Sequence, residues 1–95
     1  MALIIGICTL ELDLNDSHSL KDKRQVVRSV LDRARGRFNV SIAQLDQHDL
    51  WQHATIGIAC VGNERQYVNT VLNKVLELLE SEPRVEVTGC QMEML

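Results

Sequence analysis

Apolar residues recur along this chain with two different periods, and the switches between them mark six elements. Over residues 3–14 the period is two: Ile4, Cys8, Leu10, Leu12 and Leu14 fall on one face with Gly6 among them, and Leu3, Ile5, Ile7, Thr9, Glu11 and Asp13 on the other. That alternation predicts a long strand, apolar along the whole of one face and along only the first half of the other. A polar turn over residues 15–18 follows. Leu20, Val27, Val30, Leu31 and Ala34 then recur at helical spacing, one stripe for a core. Ser19 followed three residues later by Asp22 is a short capping box, which starts the helix at Leu20, and Gly36 is placed to loosen or end it.

Alternation returns over residues 38–45, with Phe38, Val40 and Ile42 on the buried side, and again over 53–61, with Ala54, Ile56, Ile58 and Cys60. These are a second and a third strand, joined by the polar stretch 46–52. After Gly62, Asn63 is placed as the N-cap of a second helix with Gln66 three residues on. Tyr67, Val68, Val71, Leu72, Val75, Leu76 and Leu79 follow at helical spacing, and Pro83 stops the run. Residues 84–95 read as a last strand, in which Cys90, Met92 and Met94 alternate with Gln91 and Glu93.

The order strand, helix, strand, strand, helix, strand predicts an α+β fold, a ferredoxin-like βαββαβ sandwich with two helices on one face of a four-stranded antiparallel sheet. The whole chain, 1–95, makes a single domain of this kind, with no linker inside it. In that fold the first and third strands are central. Their second faces carry Ile5, Ile7, Ala59 and Val61, an apolar patch that a second copy of the chain is expected to cover as a homodimer.

Charge sharpens the picture. The chain has a formal net charge of −3. Seven of its ten basic residues nevertheless lie between Lys21 and Arg37 against two acids, so that segment carries about +5 and the rest about −8. An acidic protein with one concentrated basic stretch is not built to coat nucleic acid, but it can make a focused phosphate contact. Lys21, Lys23, Arg24, Arg28 and Arg35 are the expected RNA-binding residues, the first four of them nearest the helix start, where backbone N–H groups also point outward. A solvated helix face, partly paired through Asp32 with Arg28 and Arg35, is the alternative.

Catalytic chemistry is harder to find. His18, His48 and His53 are dispersed, and no pair has metal-ligand spacing. Cys8, Cys60 and Cys90 are odd in number and widely spaced, which signals neither a disulfide framework nor zinc. They read as small core residues on strands, in a reducing cytoplasm. Asp46, His48 and Asp49 crowd one loop with Trp51, but no nucleophile accompanies them, and a polar turn with Trp51 folded onto the core is expected. The apolar N-terminal run is too short to cross a bilayer. The expectation is thus a protein that is not an enzyme and has no cofactor, metal or membrane partner. Base stacking is also excluded, since Phe38, Trp51 and Tyr67 lie off the central strands.

Gly6, Leu10 and Glu11, the run Ser17-His18-Ser19-Leu20-Lys21-Asp22-Lys23-Arg24, the run 38–43 (Phe-Asn-Val-Ser-Ile-Ala), Asp49-Leu50-Trp51-Gln52 and Asn63 together resemble the bacterial YlxP-like proteins, a small family of unknown function. The resemblance spans nearly the whole chain. It implies a ferredoxin-like fold in the cytoplasm without an assigned activity. Genes of that family often neighbour those for translation initiation factor two and ribosome-binding factor A, so the resemblance implies structured RNA or a ribosomal particle as the partner. A protein-interaction or small-ligand regulatory module, dimeric through the sheet face, is the other reading.

Overall fold

The computed structural model describes residues 1–46 and 50–95. Six elements follow in the expected order: β1 (Ile4–Asp13), α1 (Leu20–Arg37), β2 (Ser41–Gln44), β3 (His53–Gly62), α2 (Arg65–Glu80) and β4 (Glu86–Met94). The strands form one antiparallel sheet in the order β2-β3-β1-β4. This is the ferredoxin-like α+β arrangement, with β1 and β3 central. The core lies between the sheet and the helices. Cys8, Leu10, Leu12 and Leu14 from the first strand region meet Val27, Val30 and Ala34 of α1 and Val68, Leu72, Val75 and Leu79 of α2, all buried.

Local chemistry sets the element ends. The Ser19 hydroxyl accepts a hydrogen bond from the Asp22 N–H at 3.1 Å, as a capping box requires. The Asp22 carboxylate reaches one residue further back than the box prescribes and accepts from the His18 N–H. Gly36 does not end α1: no glycine has a positive φ, and the helix runs through it to Arg37. There the Phe38 N–H donates to the Ala34 carbonyl, and the Val40 N–H to the Phe38 carbonyl. Those bonds occupy the residues expected to open the second strand, which shortens β2 to four residues at the sheet edge. The N-cap of α2 is Glu64 rather than Asn63, because β3 continues to Gly62 and the chain stays extended through Glu64.

Three other expectations fail on packing. Tyr67 is exposed, its ring lying over Gly62 instead of in the core. Trp51 is 51% exposed and is not folded onto the core. Cys90 is exposed on the edge strand β4, whereas Cys8 and Cys60 are buried as expected. No described helix is long and apolar enough to cross a membrane.

The sheet and α2 approach closely at Gly6. A Cβ there would stand 2.5 Å from Val68 Cγ1 and 2.9 Å from Leu72 Cδ1, while one at Gly36 would meet nothing within 4 Å. Opposite signs are therefore expected for one chemical change. Gly6→Ala should destabilise the fold by about 1–3 kcal/mol through overpacking, and Gly36→Ala should stabilise it by about 0.5–1 kcal/mol through helix propensity. Urea unfolding midpoints of the two variants check this.

Candidate functional site

The rotation of α1 about its axis decides which of its cations reach solvent. At about 100° per residue, Lys23 falls inside the arc of Leu20, Val27, Val30, Leu31 and Ala34 rather than opposite it. The structure buries it accordingly. Its Nζ donates to Asp46 Oδ2 at 2.7 Å and to the Leu50 carbonyl at 2.9 Å, and the paired side chains are only 3% and 2% exposed. Lys23, expected among the RNA-binding residues, is therefore withdrawn from the basic surface. Its charge is spent on an internal pair whose other half also accepts from the Thr55 N–H at 2.9 Å and from Gln44 Nε2.

The remaining cations sort into two groups. By the same rotation Lys21, Arg24, Arg28 and Arg35 lie within an arc of roughly 60°, and all four are exposed. They line an open groove of about 700 Å³ beside Gln25, Asp32 and Gln44, between α1 and the edge strand β2. Arg35 is fixed there, donating to Asp32 Oδ1 at 3.1 Å and to the Ile42 carbonyl at 2.8 Å. Among the described residues, Lys21, Arg24 and Arg28 have no carboxylate partner, so the expected Asp32–Arg28 pair is not made. Arg33 and Arg37 point elsewhere, Arg33 to Glu82 at 2.8 Å and Arg37 over the Phe38 ring. Glu82 is buried, and hydrogen bonds from Arg84 and Arg33 lower its carboxyl to about 2, which pins α1 to the α2–β4 turn.

On the opposite face of the sheet, Ile5 pairs with Val61 and Ile7 with Ala59 across β1 and β3, so the four expected interface residues form one contiguous patch. Val61 is 49% exposed. The same face becomes polar toward the other end of β1. There His53 lies between two carboxylates, Nε2 at 2.6 Å from Glu11 and Nδ1 at 3.3 Å from Asp13, while Thr55 Oγ1 donates to Glu11. Partial burial lowers the His53 pKa, but the hydrogen bonds with Asp13 and Glu11 outweigh it and raise the pKa overall.

Asp46 is committed to Lys23, and His48 and Asp49 lie outside the described residues. Among the described residues no group of three or more His, Cys, Asp or Glu is arranged to hold a metal ion. The arrangement offers instead a row of cations along a helix beside an exposed strand edge. That can hold a polyanion by charge and shape, with no aromatic ring among the described residues of the groove for stacking.

Fold and groove together define a ferredoxin-like α+β protein presenting a cationic helix. The family is shown by comparison: residues 5–92 match the model described as "Protein of unknown function (DUF503)", and the chain belongs to that family. It is 38% identical over 85 residues to the uncharacterized protein YlxP of Bacillus subtilis (strain 168), covering 90% of this chain and 92% of that one. Among solved structures it resembles the de novo designed protein Foldit4, with a TM-score of 0.52 at 7% identity over 98% of this chain and 96% of that chain. It also resembles a putative aminohydrolase from methicillin-resistant Staphylococcus aureus, with a TM-score of 0.54 at 10% identity over 98% of this chain and 30% of that one. At such identities the two structural likenesses concern the fold alone.

The buried pair generates a stability prediction. Burial raises the Asp46 carboxyl, but the bonds from Lys23, the Thr55 N–H and Gln44 outweigh it and lower the pKa to about 2 from 3.8. A depressed carboxyl stabilises the fold above its unfolded pKa and loses that contribution as pH falls through the folded one. The wild type should therefore lose about 2 kcal/mol between about pH 4 and pH 2 from this group. Lys23→Ala, which strands the carboxylate, should cost about 3–5 kcal/mol at neutral pH and flatten that acid limb. Chemical denaturation across pH checks both.

Proposed function

We propose that this chain is a non-enzymatic cytoplasmic protein that contacts structured RNA or a ribosomal particle through the exposed row of α1. The observation that carries the reading is the groove lined by Lys21, Arg24, Arg28 and Arg35, a cationic surface on a chain of net charge −3. Lys21, Arg28 and Arg35 are seven residues apart and keep nearly one bearing along α1, over about 21 Å of helix. That length accommodates several phosphates of one backbone. Side-chain amides of Gln25 and Gln44 in the same groove can hydrogen-bond sugar hydroxyls. The recognition is of backbone and shape, since among the described residues the groove has no aromatic ring and β1 and β3 carry no Phe, Tyr or Trp.

Four phosphate contacts imply a steep salt dependence: affinity for a folded RNA should fall about 100-fold between 50 and 200 mM salt. Lys21→Glu combined with Arg24→Glu and Arg28→Glu should remove most of the affinity and most of the salt slope while leaving the circular dichroism spectrum unchanged. Filter binding to a structured ribosomal RNA fragment measures this. Equal affinity in the triple variant would contradict the reading.

A second reading is favoured by the open sheet face. Ile5, Ile7, Ala59 and Val61 form an apolar patch that no helix covers, and Leu45 lies over Gly57 beside it. A homodimer through this face, working as a protein-interaction or small-ligand regulatory module, removes that surface from water. Analytical ultracentrifugation is expected to show a dimer that Val61→Glu converts to a monomer. A wild-type chain that stays monomeric at high micromolar concentration would rule the dimer out.

A further inference from the structure

Three sulfur-bearing residues, Cys8, Cys90 and Met92, occupy neighbouring positions at the β4 edge of the sheet. In the antiparallel register Cys8 stands opposite Met92 and Leu10 opposite Cys90, so Cys8, Cys90 and Met92 share the helix-facing side. The Cys8 and Cys90 sulfurs are 3.8 Å apart. Cys8 is buried, Cys90 is exposed, and Met92 is 36% exposed, so the cluster is closed on the core side and open at the sheet edge. The other helix-facing positions around it carry Leu10, Leu12, Val87 and Met94, without an imidazole or a carboxylate.

The geometry suits an ion bridging the sulfurs better than a bond between them. Cys8 and Cys90 are diagonal neighbours, and diagonal positions across antiparallel strands lie about 7–8 Å apart, beyond the roughly 4.4–6.8 Å that a disulfide spans between Cα atoms. Two metal–thiolate bonds of about 2.3 Å at 110–120° place their sulfurs roughly 3.8–4.0 Å apart, which matches the separation here without movement of either strand. The third sulfur is the Met92 thioether, directly across from Cys8. Zinc is held by four thiolate, imidazole or carboxylate ligands, of which the sheet positions here supply two, whereas a set of thiolate and thioether donors suits copper(I).

We propose that Cys8, Cys90 and Met92 form a three-sulfur site for copper(I). On binding, each thiol releases its proton to water and bonds to the ion through sulfur, with no change in oxidation state. The site lies on the β1–β4 side of the sheet, away from the cationic groove beside β2, and is independent of RNA contact.

The test is an anaerobic titration of the reduced full chain with copper(I) held by a chromophoric chelator. One equivalent should pass from chelator to protein. Cys90→Ser, at an exposed edge position where the fold tolerates it, should weaken binding by about 100-fold or more, and Met92→Leu by about tenfold. Cys60→Ser should bind as the wild type does. Failure of the wild type to draw copper(I) from the chelator would overturn the proposal. So would undiminished binding by Cys90→Ser, or displacement of the copper(I) by an equal concentration of zinc(II).

Discussion

The ion pair between Lys23 and Asp46 is the constraint on which the arrangement of this protein turns. Removing both charges from water is costly, and an attraction between them alone does not repay it. Here the remaining valences are filled as well, by the Leu50 carbonyl on one side and by the Thr55 N–H and Gln44 on the other. The pair thereby clamps the first turn of α1 to the chain that precedes β3. It agrees with the rotation of α1 that the buried stripe of Val27, Val30, Leu31 and Ala34 sets. With Lys23 inward, Lys21, Arg24, Arg28 and Arg35 are turned together toward the β2 edge and line the groove without it.

A sheet covered by helices on one side only shapes everything else. The covered face carries the apolar core, and the open face changes along β1 from Ile5 and Ile7 to Glu11 and Asp13. Its polar end holds His53 between two carboxylates, and its apolar end has no helix above it. The edges differ as well. β2 lies beside the cations of α1, whereas β4 presents Cys90 and Met92 next to the buried Cys8.

Most of the fold was legible because it follows from periodicity. The buried alternations of β1 and β3, the stripes of both helices, the Ser19 cap and the central placement of β1 and β3 are all as the pattern predicts. Failures arose where a local competitor won. Phe38 and Val40 bond backward into the helix exit instead of extending β2, and Tyr67 covers Gly62 instead of joining the core. Lys23 was the instructive case. Its sequence neighbours are basic, but its helical bearing is that of Val27 and Val30, and bearing decided its environment. Its partner Asp46 lies 23 residues away, beyond what spacing can reveal. Cys8 and Cys90 are 82 positions apart, and only the strand register brings them together.

The claim that the groove contacts a ribosomal or other structured RNA is tested most directly by sedimenting the tagged protein from a cell lysate through a sucrose gradient at low and at moderate salt. Comigration with a ribosomal subunit at low salt, lost as salt rises, is the expected result, since a contact made by four exposed cations weakens steeply with ionic strength. A protein that stays at the top of the gradient under both conditions would contradict it and leave the open sheet face as the working surface.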